Sequence, residues 1–479
     1  MVNIRQRTAP QREKRLGTLS AWYGSISSLL REASEGELVQ RIRTFAQETP
    51  SDLILGLELL ATLRGVAIVV HGPAGCAAGL HQSQNPDLHW AVTRINERDS
   101  ILGGDTKLRA TIRQLYADHQ PDAILIVSSP VVIINNDDID SVVEELREEL
   151  GIPLIPVFTD GFRSKVAATG YDVVSHALLK ELLAHPATTP TTAPPSTQSS
   201  NPHVTLLSVQ ESGAAIASLQ ALLAELDIAS QPYPRYFDLH DGERITSARL
   251  SVTLDGGTAD YAGPILQEQL GQPYLNPPAP IGIAATRQWL TAIAEPLGRQ
   301  AAAAALIQQQ EQQLASALQA ATQVRGRKVF IHLAAGPALS LWHLAQEIGL
   351  EVVGIKVPFL DNSQLPALHE IARSQENLPI LVGHGQAFEE IALLKSARPD
   401  LYISHGIDAL PAARLGIATL PLDQLNILGF AGVSTLLQHI ERRLNHAHLQ
   451  RFLAEGENEP YSHGWLKKSA YWYIKQEVR

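Results

Sequence analysis

The sequence predicts an α/β protein made of three Rossmann-like domains, each a doubly wound parallel sheet covered by helices. The chain has 479 residues, which at about 150 residues per domain exceeds what one hydrophobic core serves. Short β-branched runs alternate with longer amphipathic segments, a pattern typical of parallel sheets with helices on both faces. Residues 186–202 contain no charge and no side chain larger than Gln, which predicts a flexible linker or surface loop between domains.

These observations divide the chain into six predicted parts. They are an N-terminal extension (1–25), a first domain (26–185), the linker or loop (186–202), a second domain (203–325), a third domain (326–455) and an aromatic C-terminal tail (456–479). The tail is too short to bury its aromatic residues alone, so we expect it to pack on another subunit or domain.

In the first domain, residues 66–70, 123–128 and 154–158 are predicted buried strands, and residues 137–150 a helix. The aspartates that begin this helix favour its dipole. The second domain is predicted to open with a strand and a helix and to end in an Ala/Gln-rich helix. Its predicted elements are strand 203–209 and helices 214–226 and 301–323. The elements predicted for the third domain are strands 328–333, 351–357, 379–382 and 400–403 and helices 340–348 and 387–396.

The amino-acid composition and the net charge argue against several classes of protein. A net charge of −11 argues against a surface that binds nucleic acid or anionic lipid. A hydrophobic content of 45% with 18% charged residues predicts an oligomer. A single cysteine excludes an internal disulfide, and no apolar run is long enough to span a bilayer. We therefore expect a cytoplasmic protein without nucleic-acid or membrane partners.

Ligands of open α/β sheets bind beyond the carboxyl ends of the strands, so the turns there are candidate sites. The first such turn runs from His71 to Cys76 and contains Gly72 and Gly75. Two glycines allow a sharp turn, and the following helix N-terminus favours a thiolate. Cys76 is therefore a candidate metal ligand or nucleophile, although a lone cysteine is more often a small buried apolar residue.

Two further turns follow predicted strands. Ser128, Ser129 and Pro130 precede an Asn-Asn-Asp-Asp run that is typical of a loop and a helix N-cap. Residues 334–337 form a nucleotide-type turn without the full G-x-G-x-x-G motif. Three histidines follow strands of the third domain, namely His332, His384 and His405. Each of them either faces a cleft or has a structural role. The chain has no P-loop, nucleophile-elbow or zinc-helix motif.

Several of these segments together resemble the catalytic-component subunits of nitrogenase and nitrogenase-like reductases. The matching segments are HGPAGC at 71–76, NERDSILGGDTKL at 96–108, SSP at 128–130 with NNDDI at 135–139, VFTDGF at 157–162, and the segment from GHGQ to SHG at 383–406. The family includes molybdenum-iron protein subunits, the paired scaffolds that mature its cofactor, and dark-operative chlorophyll-precursor reductases.

The resemblance implies three Rossmann-like domains and a heterodimer with a homologous α-like subunit that pairs into a heterotetramer. It also implies an iron-sulfur cluster at the dimer interface, either 4Fe-4S or P-cluster-like, to which Cys76 supplies a metal ligand. Gly72, Gly75 and Ser129 are the implied cofactor-binding residues beside it. A separate ATP-dependent iron-sulfur reductase would deliver the electrons.

The chain departs from the family pattern at positions that hold clusters. Subunits with a P-cluster also carry a cysteine before the Gly-Cys turn and another before the Asp-Asp segment. Here these positions fall near Pro50 or Ser51 and at Ser129. The middle-domain cysteine and the last-domain histidine of cofactor-holding subunits are also missing, and the segment at 161–172 resembles the β side.

We therefore interpret the chain as a β-like subunit of a nitrogenase-like two-component reductase, an oxidoreductase subunit with unknown substrate. Two alternatives remain open. The chain is a scaffold subunit for maturation of a nitrogenase-type metallocofactor, or it is a clusterless structural subunit in which Cys76 is a buried thiol.

Overall fold

The computed structural model describes residues 3–38, 41–43, 50–83, 85–162, 164–184, 202–320, 324–423, 425–454 and 474–476. The predicted linker at 186–202 lies outside the described residues except for its last position. The predicted C-terminal tail at 456–479 also lies outside them, except for residues 474–476.

Sixteen strands lie in the described ranges. In chain order they are β1 (Trp22–Ser25), β2 (Arg41–Arg43), β3 (Val66–His71), β4 (His89–Val92), β5 (Ala123–Ser128), β6 (Leu154–Val157), β7 (His203–Ser208), β8 (Ala229–Pro234), β9 (Leu250–Thr253), β10 (Tyr274–Leu275), β11 (Lys328–His332), β12 (Glu351–Val357), β13 (Pro379–Val382), β14 (Leu401–Ser404), β15 (Ala418–Pro421) and β16 (Ile474–Gln476).

The α-helices of the same ranges connect these strands. They are α1 (Arg12–Leu16), α2 (Ile26–Glu35), α3 (Asp52–Leu60), α4 (Glu97–Leu102), α5 (Asp105–His119), α6 (Pro130–Asn135), α7 (Ile139–Leu150), α8 (Thr169–Ala184), α9 (Gly213–Ala224), α10 (Gly242–Thr246), α11 (Ala262–Leu270), α12 (Ile283–Ala294), α13 (Gln300–Ala320), α14 (Ala335–Ile348), α15 (Leu365–Gln375), α16 (Ala387–Ala397), α17 (Leu410–Arg414), α18 (Gly429–Asn445) and α19 (Ala447–Ala454). Short 3-10 helices lie at Ala74–Gln82, Leu239–Asp241, Asn362–Gln364 and Gly406–Ala409.

The strands form three large sheets and one pair. The first sheet has the order β4-β3-β5-β6 and the second the order β10-β9-β7-β8, both parallel throughout. The third has the order β1-β13-β12-β11-β14-β15 and is parallel except for β1, while β2 pairs antiparallel with β16. Three parallel α/β sheets confirm the predicted fold class.

The first sheet is covered on both faces. Ile68 and Val70 of β3 belong to one hydrophobic core, and the alternate residues Ala67 and Val69 belong to another. Side chains of a strand alternate between faces, so these two cores lie on opposite sides of the sheet, as in a doubly wound domain. Among the described helices, none combines the length and the hydropathy needed to cross a bilayer.

The N-terminal region differs from the predicted division. β1, assigned to the extension, pairs antiparallel with β13 at the edge of the third sheet. Helix α2, assigned to the first domain, buries Ile26, Leu29 and Leu30 in the core of the second and third domains. The physical reason is that α2 has an apolar stripe of its own to bury, and the chain passes the third sheet before it enters the first.

Candidate functional site

The Cys76 turn lies at the carboxyl end of β3, near the middle of the first sheet. The strand ends at His71, Gly72 and Pro73 turn the chain, and a 3-10 helix begins at Ala74. The Cys76 amide donates a 3.0 Å hydrogen bond to the Pro73 carbonyl. The thiol is half-buried, so it is held at the surface edge of the first domain and not in its core.

Ser129 lies beside this turn because β5 is hydrogen-bonded to β3. The Ser129 amide donates to the His71 carbonyl at 3.1 Å. A Cβ added to Gly72 would lie 2.2 Å from Ser129 Oγ and 3.8 Å from the Cys76 Cβ. The structure therefore brings Gly72, Cys76 and Ser129 together, and glycine is required at 72 because of this close approach.

Cys76 and Ser129 influence each other across the turn. Burial raises the pKa of the Cys76 thiol, and the nearby Ser129 hydroxyl opposes this by lowering the pKa. In the described part of the chain, however, the fully buried Ser129 Oγ makes no well-formed hydrogen bond. The two groups thus face each other without a strong mutual bond, and a buried hydroxyl left in this state costs free energy.

The fold requires glycine at position 72 but not at position 75. Gly75 is exposed, its φ lies outside the left-handed region, and a Cβ there would meet no atom within 4 Å. Nor can Gly72 offer its N–H to a cluster in this arrangement, since that group donates to Thr93 Oγ1 at 2.9 Å. The space above Gly75 leaves the approach to Cys76 open.

A buried polar network supports the turn from below. His71 Nδ1 lies 3.1 Å from Thr93 Oγ1, and His71 Nε2 lies 3.1 Å from Asp137 Oδ2. Burial lowers the pKa of His71 to about 4, so the ring is neutral near pH 7. The Asn-Asn-Asp-Asp run does supply the predicted N-cap through Asp138, but the part played by Thr93 and Asp137 was missed. A polar residue directly after β4 was the available signal.

Exposed apolar side chains lie in segments that follow the other strands of the first sheet, at the same carboxyl edge as the Cys76 turn. They follow β4, β5 and β6 and are Ile101 (83% exposed), Leu102 (71%), Ile134 (71%) and Phe162 (54%). Grouped large apolar side chains at a surface mark interaction sites. This rim is suited to cover by another protein.

The remaining family ligand positions are not available here. Ser51 Oγ accepts from the Ile54 amide as the N-cap of α3, and the chain has no cysteine besides Cys76. Within the described ranges, no group of three or more His, Cys, Asp or Glu side chains is arranged to hold a metal ion. The Cys76 turn therefore fits one corner of a cluster, and its other ligands would have to come from another chain.

Comparison with known proteins identifies the family. Residues 57–445 match the family described as nitrogenase component 1 type oxidoreductase, which covers most of the chain. The chain belongs to this family. It is 23% identical over 396 residues to a nitrogenase molybdenum-iron protein alpha chain of Methanothermobacter marburgensis, covering 77% of this chain and 81% of that protein.

A cofactor biosynthesis protein is about equally similar to this chain. The nitrogenase iron-molybdenum cofactor biosynthesis protein NifE of a Nostoc species is 24% identical over 396 residues, covering 79% of each chain. Among solved structures, "Nitrogenase Cp1 at pH 6.5" superposes with a TM-score of 0.70 and 13% identity, covering 89% of this chain and 94% of the other. That likeness shows the fold.

The third turn of this nitrogenase component 1 protein lies against backbone of the second domain. α14 begins at Ala335 as predicted for a strand-turn-helix unit. A Cβ on Gly336 would lie 1.9 Å from the Asp255 carbonyl oxygen. Gly336 therefore allows this turn to pack against the loop after β9 of the second domain.

The three histidines of the third domain are placed differently from one another. His332 is buried, its Nδ1 lies 2.7 Å from the Tyr402 hydroxyl, and that hydroxyl hydrogen-bonds to Glu390. Burial lowers the pKa of His332, and that of His384 to about 4. His405 is 55% exposed. His332 is thus a satisfied core residue, and the three do not converge on a metal site within the described chain.

Proposed function

We propose that this chain is a subunit of a cytoplasmic nitrogenase-like two-component reductase and supplies the Cys76 thiolate to an iron-sulfur cluster shared with a homologous subunit. The observation that carries the proposal is the convergence of Cys76, Gly72 and the unpartnered hydroxyl of Ser129 at one sheet edge. The exposed apolar rim at the same carboxyl edge supports a partner there.

The donor set limits the kind of cluster. Cys76 would bind iron as the thiolate, and Ser129 is the second donor that the described residues place beside it. A serine alkoxide is harder to form than a thiolate, so one thiolate from this chain suits a 4Fe-4S cluster better than a P-cluster-like one. When bound, such a cluster carries electrons. The residues of this chain position it and exclude water from one side.

The partners follow from this proposal. A homologous α-like subunit would supply the missing thiolates in a heterodimer that pairs into a heterotetramer. An ATP-dependent iron-sulfur reductase would deliver electrons, which agrees with the missing P-loop in this sequence. The β-like assignment rests on the segment at 161–172 and on the missing cysteine and histidine with which a subunit holds a molybdenum-type cofactor. Because the relatives compared are named alpha chain and NifE, identification of the co-purifying subunit is part of the test.

The test is the iron and acid-labile sulfide content of the complex purified anaerobically with its partner. We expect Cys76→Ser to lose iron and to change the cluster's electron paramagnetic resonance spectrum. Ser129→Ala should change the spectrum but retain most of the iron. Ser34→Ala, at an exposed position of α2 away from this turn, makes the same change as Ser129→Ala. It is the control and should leave both unchanged. Wild-type iron and spectrum in Cys76→Ser would contradict the proposal and favour a clusterless structural subunit.

A scaffold role is the second candidate, because the NifE-type relative matches this chain over the same length as the alpha chain. In that case the complex hosts a cofactor precursor and passes it on without turnover. The two functions separate when the complex is supplied with its reductase and ATP. Reduction of protons or of an added substrate favours the reductase, and transfer of metal to an apoprotein without reduction favours the scaffold.

A further inference from the structure

A second polar site lies at the carboxyl edge of the second sheet. Glu211, Arg235 and Asp255 follow β7, β8 and β9, and β7 lies between the other two strands. β8 pairs with one side of β7, and β9, which comes later in the chain, pairs with the other side. Such a point, where the strand order reverses, is where open α/β sheets bind ligands.

Asp255 has a carboxylate oxygen without a partner. Its side chain is fully buried, and Oδ1 accepts from the amides of Gly257 at 3.3 Å and Ala259 at 3.1 Å. The other oxygen, Oδ2, is buried and accepts no hydrogen bond from any described residue. A buried charged oxygen is normally paired, so Asp255 presents an unused acceptor for a donor group.

Arg235 presents an unused donor in the same region. Its Nη1 donates to the Val209 carbonyl at 3.1 Å, and its guanidinium carbon lies 5.1 Å from the centre of the Tyr236 ring. Its Nε is buried and finds no acceptor in the described part of the chain. Arginine binds carboxylates through two parallel N–H groups. In Arg235 the protein accepts a hydrogen bond from Nη1, whereas Nε has no acceptor among the described residues.

A surface cleft reaches Arg235. Its volume is about 910 Å³, and it lies between α3, the Cys76 helix and the second domain. Its lining includes Glu58, Arg64, Asp87, Arg235 and Tyr236. Tyr171 lies within electrostatic range of Glu58, Arg235 and Asp255 together, which links the wall of the cleft to the buried carboxylate.

The charges around the site do not balance. Arg235 is within electrostatic range of two carboxylates, Glu58 and Glu211, and Glu211 is also within range of the carboxylate of Asp255. The cation that acts on Asp255 is Arg12, which already forms ion pairs with Asp172 and Asp361. Burial raises the pKa of Glu211 to about 7 and that of Asp255 to about 6. A positive group on a ligand would supply the missing countercharge.

We propose that this edge binds a small zwitterion of the amino-acid class, with its ammonium group at Asp255 and Glu211 and its carboxylate at Arg235. An ammonium group offers three donors to the unpartnered Asp255 Oδ2, and a carboxylate offers the acceptor that Arg235 Nε lacks. The proposal shares no residue with the Cys76 site, so it stands or fails independently of the iron-sulfur cluster.

The test measures binding of three matched probe series to the full chain by isothermal titration calorimetry. The probes are unbranched ω-amino acids of two to six carbons, with the alkylamine and the alkyl carboxylate of each length. We expect at least one amino acid to bind, and at least tenfold more tightly than either singly charged analogue. Asp255→Asn and Arg235→Gln should each weaken it at least tenfold. Glu211→Gln, at a half-buried site, gives a second test if Asp255→Asn fails to fold.

Matched controls lie at the opposite, amino edge of the same sheet. Asp227→Asn and Arg249→Gln make the same chemical changes at exposed positions just before β8 and β9 and should leave binding unchanged. Equal binding of an amine and its amino acid would overturn the zwitterion. So would binding that survives both Arg235→Gln and Glu211→Gln, or the failure of every probe to bind the wild-type chain.

Discussion

Gly72 allows the turns after β3 and β5 to approach closely enough for Cys76 and Ser129 to meet. A methyl group at this position would lie 2.2 Å from Ser129 Oγ and 2.6 Å from its Cβ. We predict that Gly72→Ala lowers the free energy of unfolding by about 1–3 kcal/mol, as overpacking of a buried site does. Urea unfolding of the purified chain measures this.

Gly75→Ala is the matched control for this prediction. It makes the same change three residues away, where a Cβ meets no atom within 4 Å, and should stay within about 0.5 kcal/mol of wild type. Equal stability of both variants would show that the Ser129 loop moves aside freely, and that the tight turn is not a requirement of the fold.

His71 predicts a pH dependence of stability. Burial places its pKa at about 4 in the folded chain, against 6.5 for an unperturbed histidine. Between these values the unfolded state binds more protons, so this contribution to stability is present above pH 6.5 and is lost as the pH falls toward 4. We predict that His71→Gln is less stable at pH 7 but loses less stability between pH 7 and pH 5.

The measurement is the urea midpoint of both proteins across this range. Asp137, whose pKa burial raises, is present in both proteins. His448→Gln, at an exposed helix position, should follow the wild-type pH curve. A His71→Gln curve parallel to wild type would mean that the His71 ring does not stay neutral in the folded chain.

At the level of elements, the sequence predicts best those strands that are buried on both faces. β5, β12 and β13 have the predicted limits, because their apolar runs end where the strands leave the core. β8 contains two prolines and lies at a sheet edge, where proline is tolerated, so its sequence reads as a loop. β1 was missed because a short strand gains its structure from a partner far along the chain.

The residues of the candidate sites could be predicted only where they follow a recognisable strand. Gly72, Cys76 and Ser129 could be found because each follows a predictable strand, and strands that are neighbours in a sheet bring their ends together. Asp255 and Arg235 could not, because β8 and β9 carry no clear strand signal of their own. A single charged residue after an unrecognised strand is indistinguishable from a solvated loop residue.

The placement of β1 in the third sheet gives a prediction for that element. Trp22 is 2% exposed and belongs to the core of the second and third domains. Trp22→Ala should cost about 3–5 kcal/mol, and it should raise amide hydrogen exchange in β13, which pairs with β1. Hydrogen exchange followed by mass spectrometry measures both strands.

The control is Trp90→Ala in β4 of the first sheet, where the side chain is half-buried. It should leave exchange in β13 unchanged. If Trp22→Ala changes exchange in the first sheet as much as in β13, then β1 does not belong to the third domain as a stabilising strand.

For the whole molecule, Arg12 connects all three domains. Its guanidinium is fully buried and forms ion pairs with Asp172 of α8 and Asp361 after β12, both at 2.9 Å. It also donates to the carbonyls of Thr258 at 3.1 Å and Gly257 at 3.3 Å in the loop after β9. One side chain from α1 thus binds each domain where their carboxyl edges meet, close to the zwitterion site.

Removing this cation should weaken the arrangement of the domains more than the domains themselves. Arg12→Met leaves Asp361 buried without its cation and Asp172 with Arg15 as its remaining partner. Breaking a buried pair in this way costs about 3–5 kcal/mol. We predict a lower thermal midpoint and faster limited proteolysis between the domains, partly reversed by adding Asp361→Asn, which removes one unpaired charge.

Arg7→Met is the control, because Arg7 and Asp140 form a half-exposed pair worth at most about 1 kcal/mol. Equal effects of Arg12→Met and Arg7→Met would mean that the apolar cores, which already run across the domain boundaries, hold the three domains together without Arg12.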